Sequence, residues 1–178
     1  MKLNLSKIDG FYQSDLGRYV RSKLEDYFHK TLKPKSKICI ASGGTCFYID
    51  QLNDNYNAVA LQIHDDQDAL PENGQGQFVQ MDSNRWPYRA EDVDHVILIH
   101  DIEFVQNPDV YLHEAWRVLK GEGRLTIIFP NREGRWAQYD GTPFGKGYPF
   151  SLEQMRKILM RTHFAIDETD GLLFFPPY

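Results

Sequence analysis

The chain has 178 residues, 42% of them hydrophobic, and a formal net charge of −5. That length and apolar fraction sustain one domain with a substantial core but not two comfortable ones, so a single domain over 1–178 is expected. The acidic balance argues against a phosphate-tracking surface, no apolar run approaches the roughly 18 residues that span a bilayer, and the start MKLNLSKIDG has no signal-peptide core; the expectation is a cytoplasmic protein with no nucleic-acid and no membrane partner.

In chain order, Leu16, Tyr19, Val20, Leu24, Tyr27 and Phe28 recur at helical spacing, with Ser14 as cap and Pro34 beyond the end, which predicts an amphipathic covering helix over about 14–31. A short strand follows at 37–41, then the tight loop Ser42, Gly43, Gly44, Thr45, then a helical turn at 47–52. The next strand, 58–63, stops at His64, Asp65 and Asp66. A Gly- and Pro-bearing loop at 71–76 leads to an edge strand at 77–81, which ends at Asp82 and Ser83. Cys39 and Cys46 have no His or Cys partner at metal-ligand spacing, so no metal is expected and both thiols are read as reduced.

The stretch 93–129 is the most informative. Val96, Ile97, Leu98 and Ile99 are consecutive and mostly β-branched, as suits a parallel strand covered on both faces. The strand ends in His100, Asp101, Ile102 and Glu103, and Asn107 with Pro108 announces a helix by its cap and its first position. Tyr111, Leu112, Ala115, Val118 and Leu119 give that helix an apolar face opposite His113, Glu114, Arg117 and Lys120, and Gly121 is placed to supply a left-handed end. A strand at 124–129 completes one βαβ unit, whose crossover should be right-handed. Ligands of such sheets gather at the carboxyl ends of the strands, here His100, Asp101, Pro130 and Asn131.

Residues 131–150 form a long loop rich in Gly, Pro and aromatics, including Trp136, Tyr139, Phe144 and Tyr148. Connections of that length in compact domains are often lids or binding loops, although simple packing over the sheet accounts for the rings equally well. Ser151 with Gln154 makes a capping box, and Leu152, Met155, Ile158 and Leu159 face a further helix. The last strands are read at 164–169 and 172–175.

The wording of these elements resembles a class I S-adenosylmethionine-dependent methyltransferase. Trp86, Pro87 and Tyr88 ahead of the apolar strand, the run His100 to Pro108, and above all Glu114, Ala115, Trp116, Arg117, Val118, Leu119, Lys120, Gly121, Glu122, Gly123, Arg124, Leu125 are similar to that family's "E..RVLkPGG.L" region and what precedes it. Phe11 and Tyr12 with Leu16 and Gly17, and the 131–147 segment, resemble a bacterial subgroup of type 11 methyltransferase-like proteins. The resemblance implies a Rossmann-like, three-layer α/β/α fold with a mostly parallel sheet, truncated at its last strand, and S-adenosylmethionine as cofactor. It implies cofactor contacts at Ser42, Gly43, Gly44, Thr45, Asp65, Asp82, Ser83 and His100, and substrate contacts at Tyr12, Arg132, Trp136 and Phe144. The acceptor would be a small molecule.

Two alternatives stand beside this reading. In the family's first motif an acid and three glycines approach the cofactor; here Ile40 replaces the acid, Ser42 the first glycine and Cys46 the last, which suits a non-catalytic binding or scaffold protein of the same fold. A plain tight turn explains Gly43 and Gly44 nearly as well as a cofactor loop. His100 is read either as a general base, since imidazole accepts a proton at neutral pH, or as a group that holds the following loop. A nicotinamide-dependent Rossmann dehydrogenase ranks last, because G-x-G-x-x-G is missing after the first strand. Sheet edges left by a missing final strand predict a homodimer.

Overall fold

A computed structural model describes residues 5–42, 57–63, 77–81, 84–134, 144 and 148–171. The elements are α1 (Leu5–Gln13), α2 (Asp15–Thr31), β1 (Lys37–Ser42), β2 (Asn57–Ile63), β3 (Gln77–Met81), β4 (Val93–Ile99), a 3-10 turn at Ile102–Phe104, α3 (Pro108–Val118), β5 (Leu119–Ile128) and α4 (Leu152–Arg161). The five strands form one parallel sheet in the order β3-β2-β1-β4-β5. The chain therefore builds outward from β1 in one direction and then crosses to β4 on the other side.

Alternation along the central strands divides the core into two layers. Ile38, Ile40, Ile97 and Ile99 face α1 and α2 and pack with Ile8, Tyr12, Val20, Leu24 and Phe28. Cys39, Val96 and Leu98 face the opposite way, toward Tyr111, Leu112, Ala115 and Val118 of α3 and Met155 and Ile158 of α4. Helices thus cover both faces, which is why β4 carries no polar side except near its start, where Asp94 and His95 precede the apolar run.

The covering helix begins where expected. Ser14 caps α2 by accepting from the Gly17 N–H at 3.1 Å, and its buried face is Gly17, Val20, Leu24 and Phe28. Tyr19, read above as part of that face, is instead 55% exposed, because the stripe toward the sheet runs through Val20 and Leu24. The sequence reading also missed α1. It packs across the start of α2, and a Cβ on Gly17 would stand 1.9 Å from the Phe11 carbonyl oxygen, so only glycine lets the two helices approach this closely.

The junction of α3 and β5 differs from expectation too. Gly121 takes no left-handed turn; α3 stops at Val118 and Leu119 is already extended, at φ −71° and ψ 138°. The last carbonyls of the helix find other partners, Arg117 accepting from the Glu91 N–H at 3.0 Å and Val118 from the Asp92 N–H at 2.8 Å. With those acceptors satisfied, a glycine cap has nothing left to do. The register then shifts between the pairs Val93–Leu119 and His95–Arg124, so the chain bulges between them. A Cβ on Gly123 would sit 2.9 Å from both Leu119 Cδ2 and the Lys120 carbonyl oxygen within that bulge.

The capping box of α4 forms as read, with reciprocal Ser151 and Gln154 bonds. The strand expected at 164–169 does not form. The chain closes the end of α4 instead, His163 taking φ 70° and the Phe164 N–H donating to the Leu159 carbonyl at 2.9 Å, while the residues beyond run without regular structure to 171. The strand read at 172–175 and the helical turn at 47–52 lie outside the described residues. Among the described residues, no helix is long and apolar enough to cross a membrane.

Candidate functional site

The sheet order reverses between β1 and β4, and open α/β sheets bind their ligands at the carboxyl ends of the strands at such a point. Ser42, the last residue of β1, pairs with Ile99, the last residue of β4. His100 follows Ile99 directly and leaves the strand at φ 48°, a left-handed conformation that His adopts more readily than most side chains. Its N–H donates to the Ile128 carbonyl at 2.9 Å, so the turn is tied to the end of β5. Backbone of this kind costs on the order of 1–3 kcal/mol and persists where surrounding structure holds it, often at functional positions.

The imidazole is 5% exposed and enclosed by rings. Tyr12 of α1 places its hydroxyl 2.8 Å from Nε2. Phe144 lies 4.8 Å from the imidazole, centre to centre, at a 40° tilt, and meets Phe11 edge-on at 4.9 Å. On its other side, His100 Nδ1 stands 3.6 Å from Glu103 Oε1. Among the described residues, neither His100 Nδ1 nor Glu103 Oε2, both buried, has a hydrogen-bond partner. Glu103 sits in the 3-10 turn, 2% exposed, and its carbonyl accepts from the Tyr148 N–H at 2.8 Å. The neighbouring Asp101 turns away from this cluster and accepts a hydrogen bond from the Tyr111 hydroxyl. Burial is the largest influence on that carboxyl and pushes it from its ordinary 3.8 up to about 7, the Tyr111 hydrogen bond opposing and the charge of Glu103 adding.

Three of the residues singled out in the sequence, Tyr12, His100 and Phe144, are therefore brought together although 88 positions separate Tyr12 from His100. Ser42 is placed beside them by its backbone. Arg132 is exposed in the turn after β5, its N–H donating to the Phe150 carbonyl at 2.9 Å. Gly43, Gly44, Thr45, Asp65, Asp82, Ser83 and Trp136 lie outside the described residues. Phe11 and Glu103 were not read as site residues. Phe11 was recoverable from Ile8, Phe11 and Tyr12, whose three- and four-residue spacing marks a helix face, whereas nothing local distinguishes Glu103 from an ordinary loop acid.

Residues 37–127, just over half of the chain, match the family described as "Methyltransferase domain". The chain belongs to that family. Among solved structures, a SAM-dependent methyltransferase from Aquifex aeolicus superposes with a TM-score of 0.68 at 18% identity, covering 94% of this chain and 92% of that one. One from Archaeoglobus fulgidus gives 0.64 at 16% identity, covering 83% and 69%, and one from Thermotoga maritima gives 0.63 at 19% identity, covering 89% and 82%. At such identities the likeness establishes the fold, a class I methyltransferase domain. No curated protein matches the sequence.

The family implies S-adenosylmethionine, and the groups at the switch point suit a ligand that carries a positive sulfonium. The end of β4 presents His100 and Glu103, whose Oε2 has no hydrogen-bond partner among the described residues, and the sequence from Ser42 to Cys46 contains no Lys or Arg to repel a cation. One position departs from the family. Ile40, which stands where the resemblance puts an acid, is fully buried among the apolar side chains under α1 and α2.

Proposed function

We propose that this methyltransferase domain transfers a methyl group from S-adenosylmethionine to a small-molecule acceptor held over the carboxyl ends of β1 and β4. The observation that carries the reading is the left-handed His100 at the topological switch point, buried beneath Tyr12 and Phe144 with its Nε2 on the Tyr12 hydroxyl. When bound, the cofactor supplies an activated methyl on sulfur, so the protein's own work is to bind, to align the acceptor and to receive its proton. Tyr12 and Phe144 exclude water from the imidazole, and the turn from His100 to Glu103 holds the ring at the strand end. The Gly43, Gly44 and Thr45 backbone and the acids Asp65 and Asp82 are assigned to the cofactor by the family resemblance.

The test is transfer of labelled methyl from S-adenosylmethionine into the low-mass fraction of a cell extract, read together with formation of S-adenosylhomocysteine. The expected result is label in one or few small molecules, lost in His100→Asn, a variant chosen because Asn tolerates left-handed backbone. Release of S-adenosylhomocysteine with label only on protein would move the acceptor out of the small-molecule class.

A second reading, a non-catalytic protein that keeps the fold for binding, is favoured by Ile40. Isoleucine there has no carboxylate to offer the amino group of the cofactor's methionine part, and its side chain packs in the core instead. Absence of any turnover alongside intact cofactor binding would favour this reading.

A further inference from the structure

Tyr12 occupies a place that a substrate would need. Its hydroxyl is the group bonded to His100 Nε2, its ring lies 5.9 Å from the imidazole and 5.2 Å from Phe11, and Phe144 closes the other side of the imidazole. In the tautomer with its proton on Nδ1, on the side where Glu103 Oε1 stands 3.6 Å away, Nε2 is the acceptor and the Tyr12 phenol the donor.

We propose that the methyl acceptor is an aromatic hydroxyl that takes the place of Tyr12 at His100 Nε2, with His100 receiving the proton and Glu103 acting as a positioning residue. This rests on the methyl-transfer reading above and gives it a substrate class. A flat phenolic ring suits the place of the Tyr12 ring beside Phe11 and the imidazole, and a hydroxyl suits an imidazole nitrogen that already holds one. In the reaction the phenolic O–H bond breaks and its proton passes to Nε2. The oxygen forms the new bond to the methyl carbon as the carbon–sulfur bond of S-adenosylmethionine breaks, and the sulfonium leaves as a neutral thioether. Tyr12 belongs to α1, which is held on the sheet by Ile8 and on α2 at Gly17, so its withdrawal is a rotation of the Tyr12 side chain with the helix in place.

The probe is para-nitrophenol, whose phenolate absorbs visible light, added to the full chain with and without S-adenosylhomocysteine, with thermal melts to confirm that each variant folds. Binding accompanied by growth of the phenolate band is expected. Tyr12→Phe removes the resident hydroxyl and should tighten binding by roughly fivefold, the factor of one ordinary hydrogen bond. Glu103→Gln should keep the affinity within about twofold while the phenolate band shrinks, a split that loss of structure does not produce. His100→Asn should abolish the band. Weaker or unchanged binding in Tyr12→Phe, or binding to the wild type with no change in the band, overturns the proposal, as does no binding to a chain that takes S-adenosylhomocysteine. Failure to bind S-adenosylhomocysteine overturns the methyl-transfer reading instead, and is measured separately.

Discussion

Tyr111 on α3 donates its hydroxyl hydrogen bond to Oδ2 of Asp101, ten positions earlier, and both side chains are buried between β4 and the helix that follows it. The bond fastens the turn after β4 to the helix of the same βαβ unit, on the side of that turn away from the His100 cluster. Its pH behaviour follows from the burial. The Asp101 carboxyl is pushed up to about 7 in the folded chain, against an ordinary 3.8. Below that ordinary value both folded and unfolded chains hold the proton, and the contribution to stability is complete. Between the two values the unfolded chain gives up the proton while the folded chain keeps it, so stability falls as pH rises toward 7 and levels off above it.

Asp101→Asn is therefore expected to flatten the loss of stability over that window and to leave the variant more stable than the wild type at pH above 7. Urea unfolding at a series of pH values measures it, the difference reaching on the order of a few kcal/mol. An Asn oxygen still accepts from Tyr111, so the packing of the turn is preserved.

Gly17→Ala should cost about 1–3 kcal/mol, because its methyl would lie 1.9 Å from the Phe11 carbonyl oxygen and the two helices have no room to part without uncovering Ile8 and Tyr12. Ala is otherwise the better helix former, so propensity alone predicts the opposite sign. A chemical denaturation curve decides between them.

Arg117→Ala should cost about 1–2 kcal/mol and loosen the approach to β4. The guanidinium donates to Glu114 Oε1 and Oε2 at 2.7 and 2.6 Å, to the Tyr88 carbonyl at 2.9 Å and to the Trp86 carbonyl at 3.3 Å, while Glu114 accepts from the Trp86 N–H at 2.9 Å. Hydrogen bonding to Arg117 is the largest influence holding the Glu114 carboxyl below its usual range. The pair is thus a clamp between α3 and the segment that carries buried Trp86. Faster amide exchange at Trp86 and Tyr88 in the variant, with β1 unchanged, is the expected signature.

The βαβ unit was legible because its signals are local and agree with one another: the apolar run of β4, the Asn107 cap with Pro108, and the face Tyr111, Leu112, Ala115, Val118. The capping box of Ser151 and Gln154 was legible for the same reason. The end of α3 was misread because its carbonyls are satisfied from Glu91 and Asp92, in a segment of sequence that gives no sign of facing it. At the site, His100 and Tyr12 were each visible as single residues, but their contact spans 88 positions and depends on α1, which short-range patterning did not isolate. Glu103 gained its place only through a turn whose geometry hangs on a left-handed histidine, a conformation that His favours only weakly and that the sequence therefore did not announce.

The central claim is that the carboxyl ends of β1 and β4 hold S-adenosylmethionine, and calorimetric titration of the full chain with S-adenosylmethionine and S-adenosylhomocysteine tests it most directly. Binding in the micromolar range, abolished in a folded Gly43→Val, Gly44→Val variant, is the predicted result. No heat of binding up to millimolar ligand would contradict it and leave a methyltransferase fold kept for some other purpose.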